Sequence, residues 1–156
     1  MRSPTEFIAE ADAVVLDLEA SSAEDAISLL HKRLAERPAV LLDAERFLAD
    51  VKTRMRMASV CIADDIALPH ARTDAVNRLV LAVARTRTPV PFDPRHPAIQ
   101  LIFLIGTPKA AVTEYLQVVA RLSRLLRNPS RRNGLLTTEN EADFRALLSG
   151  GVAACK

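Results

Sequence analysis

Short aliphatic strand patterns alternate with capped helix patterns along this chain, and this alternation restricts its fold more than any other feature. The sequence predicts extended segments at residues 13–18, 61–68, 78–85 and 98–105. Helices are predicted after the capping boxes at residues 21–24 and 138–141, after Asp43, and over residues 110–127. Because strands that alternate with helices are typical of α/β proteins, we predict an α/β fold with helices packed on both faces of a sheet.

The length and composition fit a single folded domain. The chain has 156 residues, of which 49% are hydrophobic and only 4% aromatic, so we expect an aliphatic core. No repeat or Pro/Gly/Ser-rich linker divides it, and we predict one domain over residues 1–156 with a core at about 13–149. Apolar runs are too short for a membrane helix, and acidic residues near the start exclude a secretory signal. The sequence therefore predicts a cytoplasmic protein without direct membrane insertion.

Charge is distributed unevenly along the chain. Residues 1–50 hold 11 acidic and 5 basic residues, whereas residues 51–156 hold 8 acidic and 16 basic residues. The basic excess of the second part favours an anionic or phosphorylated partner. Nucleic acid is not expected, because the arginine stripe of the predicted helix over residues 110–127 has no interleaved aromatics and no recognisable reading motif.

His70 is the residue best placed for chemistry. It follows Pro69 at a predicted turn that comes after an apolar segment, and Arg72 lies two residues further on. The other two histidines are weaker candidates, since His31 is predicted on an exposed helix face and His96 in a proline-rich loop. The functional interpretation of the sequence therefore depends on His70.

Four roles for His70 stay open from the residues alone. It can be a loop histidine that bonds the backbone. A metal site with nearby aspartates is a second role, although no second histidine stands at a ligand spacing and the cysteines are not grouped. A Ser-His-Asp hydrolase is disfavoured because the chain has no GxSxG motif. The fourth role is a nucleophile that accepts a phosphoryl group, for which Arg54, Arg56 and Arg72 are the nearest arginines in sequence.

Glycine is too scarce for a nucleotide-binding motif. With four glycines, the chain contains neither a P-loop nor a dinucleotide fingerprint. A phosphoryl group accepted by His70 must therefore come from another molecule that already carries it, and we predict no cofactor and no metal.

Residues 66–71, Ile-Ala-Leu-Pro-His-Ala, resemble a known phosphorylation motif. It belongs to the enzyme IIA domains of the fructose/mannitol type in the bacterial phosphoenolpyruvate-dependent phosphotransferase system, including their nitrogen-regulatory relatives. His70 stands in the place of the phosphorylated histidine, Arg54 falls where the family keeps an active-site arginine, and Ser59 fits the serine between them. The resemblance extends over nearly the whole chain, including the strand at residues 101–104 and the helix at residues 114–122.

The resemblance implies a mixed β-sheet sandwiched between α-helices and a histidine phosphocarrier. His70 is expected to accept phosphate from an HPr-like protein and Arg54 to stabilise the transferred group, with Tyr115, Ser59 and Arg72 in the binding site. The implied downstream partner is a sugar-permease IIB unit or a regulatory target. The chain carries no IIB segment of its own, which favours a regulatory, nitrogen-type role over a dedicated sugar-transport component.

Two differences from the family pattern leave a second hypothesis open. Tyr115 occupies the position of a second active-site histidine that many sugar-transporting members have, and it brings no positive charge. Asp65 stands where the family often has glycine and adds a negative charge near an incoming phosphate. The alternative is therefore a non-catalytic enzyme IIA-like interaction module that regulates a transporter or kinase without phosphorylation.

Overall fold

The computed structural model describes residues 2–150, which form two units. One unit is Asp12–Ala111, and the other combines the chain up to Ala11 with the chain from Val112 onward. The sequence also predicts that Gly150-Gly151 terminates the last helix. Gly151 and the second cysteine, Cys155, lie outside the described residues.

Six helices are present in the described chain. In chain order they are α1 Pro4–Ala9, α2 Ala23–Ala35, α3 Ala44–Met57, α4 Val112–Leu126, α5 Pro129–Thr137 and α6 Glu141–Leu148. None of these helices is both long and apolar enough to cross a lipid bilayer.

The six strands of the Asp12–Ala111 unit form one mixed sheet. In chain order they are β1 Ala13–Leu18, β2 Cys61–Ala63, β3 Ile66–Ala67, β4 His70–Arg72, β5 Val80–Val90 and β6 Ile99–Thr107. β1 runs parallel to β5, and β5 runs antiparallel to β6. β3 and β4 both pair with β6 in parallel, and β2 pairs with β3 in the antiparallel sense. The prediction of an α/β fold with a mixed sheet is confirmed.

β3 and β4 are two parts of one interrupted strand beside β6. The offset between paired residues is the same in both parts, since Ile66 pairs with Leu101 and His70 with Ile105. Pro69 has no N–H to donate, but its carbonyl accepts a hydrogen bond from the Ile105 N–H at 3.0 Å, which maintains the register. The predicted turn at Pro69 is therefore wrong. Pro69 interrupts the strand without ending it, and His70 lies within β4.

Two other predictions, one of an extended segment and one of a loop, are corrected. Residues 61–68 form the hairpin of β2 and β3, with a turn at residues 64–65, where one extended segment was expected. The predicted loop over residues 88–97 begins later, because β5 continues through Pro89 to Val90. A shift in the β5–β6 register between Arg85 and Val90 accommodates this proline, which has no N–H for the ladder.

The helices α2 and α3 begin at side-chain caps. Ser22 Oγ accepts from the Asp25 N–H at 3.1 Å, and the Asp25 carboxylate accepts from the Ser21 N–H at 3.0 Å. The cap therefore lies one residue later than predicted, with Ser22 as the N-cap and Asp25, not Glu24, as the acid. Asp43 caps α3 as predicted, since its Oδ1 accepts from the Arg46 N–H at 3.0 Å.

Both helices bury an aliphatic face against the sheet. The shared core contains residues of α2, α3, β5 and β6, namely Ala26, Ile27, Leu30, Leu34, Phe47, Val51, Ala82, Ala84, Ile102 and Leu104. His31, predicted to be exposed, is buried on this side of α2, where its Nε2 lies 2.7 Å from the Ala44 carbonyl oxygen. Because α3 packs into the core through Phe47 and Val51, its opposite, polar face points away from the core.

The other unit consists of α1, α4, α5 and α6, which pack on one another. The sequence missed α5: Asn128-Pro129 ends α4 as predicted, but Asn128 also caps the next helix and Pro129 is its first residue. Helical spacing predicts an apolar stripe on α4 that includes Leu116, Leu122 and Leu126, and Leu122 and Leu126 are indeed buried. Leu116, however, is 57% exposed, and Val118 and Leu125 are buried although they lie outside the predicted stripe. Apolar residues cover much of α4, so periodicity alone did not determine which part is buried.

Candidate active site

A cavity of about 360 Å³ in the Asp12–Ala111 unit contains His70 in its wall. The other wall residues come from one face of α3, from β4 and from the segment after β6, and they are Arg46, Asp50, Thr53, Arg54, Met57, Ala71, Arg72 and Lys109. Four of them are cationic, and among these wall residues Asp50 alone is acidic. The cavity therefore suits an anionic group.

His70 is a neutral imidazole with a defined tautomer. Its Nδ1 lies 3.0 Å from the carbonyl oxygen of Leu68, and because a carbonyl only accepts, Nδ1 carries the ring proton. Nε2 then holds the lone pair of the neutral ring. Burial lowers the pKa of His70 below its ordinary value of 6.5, the Leu68 carbonyl opposes this shift, and the charge of Arg54 adds to it. The ring is therefore uncharged and nucleophilic at neutral pH.

Arg54 reaches the cavity from the last turn of α3. Its Nη1 donates to the carbonyl of Ala58, the C-cap residue, at 3.2 Å. A cation near a helix C-terminus is favoured by about 0.3–1 kcal/mol, so the helix itself helps to hold this guanidinium. The positive charge of Arg54 helps to lower the pKa of His70, although burial is the larger cause.

Arg72 lines the same cavity from β4, two residues after His70. Its Nη2 donates to the backbone carbonyl of Lys109 at 3.2 Å. Within residues 2–150 neither Arg72 nor Arg54 forms an ion pair, whereas Lys109 pairs with Asp74 at 3.4 Å. Two guanidinium charges at the cavity are thus uncompensated by carboxylates.

The carboxylate of Asp50 is engaged by its neighbours. Arg46 Nε lies 3.2 Å from Asp50 Oδ2, and the buried Thr73 donates its hydroxyl to the same oxygen at 2.7 Å. Thr73 Oγ1 in turn accepts from the Ala75 N–H at 3.0 Å. These contacts tie α3 to the segment that follows β4, and they hold the two elements that carry Arg54 and His70.

The structure brings together three of the five predicted site residues, namely His70, Arg54 and Arg72. Ser59 lines a different cavity, where its hydroxyl donates to Asp93 Oδ2 at 2.8 Å. Tyr115 lies in the first turn of α4, in the other unit of the chain, and its side chain is half-buried. Asp65 lies in the turn between β2 and β3 and is not part of the wall of the His70 cavity.

Six of the nine wall residues were not assigned to the site from the sequence, and one of these, Ala71, lies in the motif at residues 66–71. Arg46, Asp50, Thr53 and Met57 share the face of α3 that carries Arg54, and their spacing of three and four residues was a signal available in the predicted helix. No comparable spacing in the sequence indicated Lys109. It meets Arg72 because β4 and β6 run in parallel, with Arg72 opposite Thr107.

A second cluster of polar side chains lies around the other cavity, which has a volume of about 570 Å³. Asp93 accepts from Ser59, from the His96 ring nitrogen Nδ1 at 2.8 Å and from the Arg95 N–H at 2.9 Å. Burial would raise the pKa of the Asp93 carboxyl, but these hydrogen bonds lower it to about 2. Burial raises the pKa of the Cys61 thiol to about 11, so this thiol is not a thiolate nucleophile at neutral pH.

The chain matches a known protein family over almost its whole length. Residues 7–150 match the family described as phosphoenolpyruvate-dependent sugar phosphotransferase system, EIIA 2. A fructose-specific EIIA component of the phosphotransferase system from Haloferax volcanii is 32% identical over 109 residues, which are 69% of this chain and 70% of that protein.

Solved structures share the fold. The nitrogen regulatory protein IIA-Ntr from Neisseria meningitidis superposes with a TM-score of 0.79 at 29% identity, over 88% of this chain and 93% of that one. Enzyme IIA for mannitol from Escherichia coli, in its complex with phosphorylated enzyme IIB, superposes with a TM-score of 0.76 at 20% identity, over 90% and 96% of the two chains. The similarity to the second protein shows a common fold.

Proposed function

Since this chain belongs to the phosphoenolpyruvate-dependent sugar phosphotransferase system EIIA 2 family and is therefore a phosphoryl carrier of sugar uptake or nitrogen regulation, we propose that His70 is the residue that carries the phosphoryl group. We further propose that Arg54 and Arg72 bind its oxygens. The observation that supports this assignment best is the pairing of a neutral His70 with two guanidinium groups that form no ion pair within residues 2–150.

The transfer proceeds between two imidazole rings. The lone pair of His70 Nε2 attacks the phosphorus of a donor phosphohistidine, a new N–P bond forms, and the electron pair of the broken N–P bond returns to the donor ring. Nδ1 of His70 keeps its proton, and the Leu68 carbonyl stabilises the positive charge that develops on the ring. The phosphoryl oxygens carry spread negative charge in the transition state, which planar guanidinium groups stabilise well.

Arg54 acts on both sides of this equilibrium. Its charge stabilises the bound phosphoryl group, yet the same charge disfavours a cationic His70 ring, as the lowered pKa of His70 indicates. A phosphoryl group held in this way is bound firmly enough to be accepted and remains labile enough to be passed on. This balance is what a carrier needs.

The proposed partners are proteins. An HPr-like phosphocarrier is the proposed donor, because its phosphohistidine supplies the group without a nucleotide or cofactor. A IIB unit or a regulatory target is the proposed acceptor, and we favour a regulatory, nitrogen-type role in the cytoplasm, with residues 1–156 acting as one enzyme IIA domain. The likeness to both nitrogen-regulatory and sugar-specific relatives supports this pair of acceptors.

The test is transfer of a labelled phosphoryl group from purified phospho-HPr to the purified chain. We expect about one acid-labile, alkali-stable phosphate per chain, and tandem mass spectrometry should locate it on His70. A chain that stays unlabelled would instead support the non-catalytic interaction module. That alternative now rests on Tyr115, since Asp65 lies outside the wall of the His70 cavity.

A label on another residue would retain the carrier function and reject the site. His96 is the relevant competitor, because it is also partly exposed, with 19% of its side chain accessible. His31 is a poor competitor, because its ring is buried against Phe47. Mapping the label therefore separates the family function from our assignment of the residue.

A further inference from the structure

The cluster around Asp93 has no part in phosphoryl transfer as proposed above, yet it holds three different metal-ligating side chains. Cys61 on β2 meets Asp93 and His96 in the segment between β5 and β6, and one ligand atom of each lies within 4.8 Å of the others. We propose that Cys61, Asp93 and His96 form a zinc site.

The distances suit a tetrahedral ion after small side-chain movements. Zinc bonds of 2.0–2.3 Å to nitrogen, oxygen and sulfur put neighbouring ligand atoms about 3.3–3.8 Å apart. Cys61 Sγ and Asp93 Oδ2 are 3.7 Å apart, which is already in this range. His96 Nδ1 lies 2.8 Å from the other carboxylate oxygen, Oδ1, so binding through one oxygen requires the Asp93 carboxylate and the His96 ring to shift until Nδ1 and that oxygen are about 3.3 Å apart.

A tight turn presents two of the ligands together. His96 donates its backbone N–H to the Asp93 carbonyl at 3.0 Å, and the Phe92 N–H donates to the His96 carbonyl at 3.0 Å. The side chains of Asp93 and His96 are 27% and 19% exposed, so an ion has access to them from solvent. The turn is thus formed before any ion arrives, which reduces the ordering that binding requires.

Ser59 supports the carboxylate from outside the ligand set. Its hydroxyl donates to Asp93 Oδ2 at 2.8 Å and accepts from the Cys61 N–H at 3.2 Å. Metal-binding carboxylates are usually oriented by such outer hydrogen bonds. Ser59, which the family resemblance placed in the phosphate site, therefore acts as a positioning residue of the metal site.

The chemistry of the three ligands selects a soft divalent ion. Thiolate and imidazole favour zinc over magnesium or calcium, which take oxygen ligands. Arg56 and Arg95 also line the cavity, and their charges oppose any cation, so an ion there needs the strong coordinate bonds that zinc forms with thiolate and imidazole. Zinc displaces the thiol proton of Cys61 to solvent. His96 Nδ1 donates its proton to Asp93 in the metal-free protein, so this proton must leave to solvent before Nδ1 can bind zinc, and the neutral ring then carries its single proton on Nε2. Thiolate and carboxylate then neutralise the ion, and water fills the fourth position.

The position of the site gives the ion a structural effect. β2 pairs with β3, and the chain runs from β3 through Pro69 into β4 and His70. An ion held by Cys61 and His96 links this hairpin to the turn between β5 and β6. Binding therefore stabilises the segment that leads to His70.

The test uses the full chain without an affinity tag, stripped of metal with a chelator. Zinc affinity is measured by competition with a chromophoric chelator, and cobalt is used as a spectroscopic probe of thiolate ligation. We expect one ion per chain and a thiolate-to-cobalt charge-transfer band.

Cys61→Ser and His96→Gln should each weaken zinc binding by at least about 100-fold, and Ser59→Ala by about 10- to 100-fold. Cys155→Ser, the matched thiol control, should leave the affinity unchanged.

Several outcomes would overturn the site. One is wild-type affinity no tighter than that of Cys61→Ser or His96→Gln, and another is a cobalt spectrum without a thiolate band. Equal loss in Cys155→Ser would assign the thiol ligand elsewhere. Thermal unfolding of each metal-free variant, with Asp93→Asn as a further ligand variant, separates loss of the site from loss of the fold.

Discussion

Two histidines of the Asp12–Ala111 unit lie beside charged groups of opposite sign. His70 shares a cavity with Arg54 and Arg72, and its Nδ1 faces a backbone carbonyl. His96 faces the carboxylate of Asp93, whose pKa is held at about 2. The same side chain is thus prepared for an anion in one place and for a cation in the other. Its function depends on the neighbouring charges more than on its own chemistry.

Replacement of either histidine is expected to have the largest effect, and each replacement should impair a different activity. His70→Gln should abolish labelling by phospho-HPr, because glutamine offers no nitrogen lone pair for attack on phosphorus. Zinc affinity of this variant should equal that of the wild type. His96→Gln should show the reverse, with wild-type labelling and weak zinc binding. Labelling rates and zinc competition on the same protein preparations measure both effects.

Loss of both labelling and zinc binding in one folded variant would contradict the contrast between His70 and His96. If His96→Gln also abolished labelling while remaining folded, the two clusters would belong to one functional site. Far-ultraviolet circular dichroism and thermal unfolding of both variants provide the necessary check on folding.

Removal of one guanidinium is expected to have the next largest effect. Arg54→Gln should slow phosphoryl transfer by about 10²–10³-fold, the usual cost of losing one group that stabilises transition-state charge. Arg54→Lys should recover part of the rate, because it restores charge without the planar pair of donors. Single-turnover transfer from phospho-HPr measures these rates directly.

Arg56→Gln is the matched control for this series. Arg56 lies two residues further along α3, but it lines the cavity of Cys61 and His96. Its loss should leave the transfer rate within about twofold of the wild type, since it does not contribute to the wall of the His70 cavity. An equal loss of rate in both variants would show that general basicity, and not the position of Arg54, supports transfer.

The sequence predicted the His70 cavity better than it predicted the second cluster, and the reason is physical. His70 and Arg54 are positioned by local features, a strand motif and a capped helix, so their spacing in sequence was informative. Cys61 and His96 meet only because β2, paired to β3, lies beside the turn after β5. Long-range contacts of this kind leave no periodic signal. Ser59 illustrates the consequence, since its partner Asp93 is 34 residues away.

The fold shows the same difference between features set by local sequence and features set by long-range contacts. The strand Ala13–Leu18 and the caps of α2 and α3 were predicted from local chemistry and are present. The predicted turn at Pro69 was wrong and the predicted apolar stripe of α4 was only partly right, because both features depend on packing partners distant in sequence. Register and burial are therefore where sequence reasoning alone reaches its limit.

A change in packing beside β4, at Gly106, should affect the His70 cavity more than the zinc cluster. A Cβ on Gly106 would lie 2.7 Å from Phe47 Cε1 and 2.9 Å from Val80 Cγ2, and both of these side chains are fully buried. Gly106→Ala should therefore lower the free energy of unfolding by about 1–3 kcal/mol. Because Gly106 pairs with Ala71 and Phe47 lies on α3, the transfer rate should also fall, whereas zinc affinity should not. Urea unfolding and the two assays above measure these effects.

Gly134→Ala serves as the control for that substitution. Its Cβ would lie 3.1 Å from the flexible end of Leu147, within the helical unit. Alanine also gains up to about 1 kcal/mol in a helix interior, so the stability of this variant should stay within about 1 kcal/mol of the wild type. Similar losses in both alanine variants would contradict the view that the contact of Gly106 with Phe47 is the critical one.

The smallest expected effect is a shift in the titration of His70. Burial and then the charge of Arg54 lower its pKa below 6.5, against the opposing Leu68 carbonyl. The folded protein therefore favours the neutral ring, and the stability gained in this way is present above the unfolded pKa and lost as the pH falls through the lower folded pKa. Titration of the ring protons by NMR, assigned with His70→Gln, should show a midpoint below 6.5. Arg54→Gln should raise that midpoint but not restore 6.5, because burial, the larger cause, persists. A midpoint at or above 6.5 in the wild type would mean that the cationic surroundings do not keep His70 neutral, and the contrast with His96 would then lose its electrostatic basis.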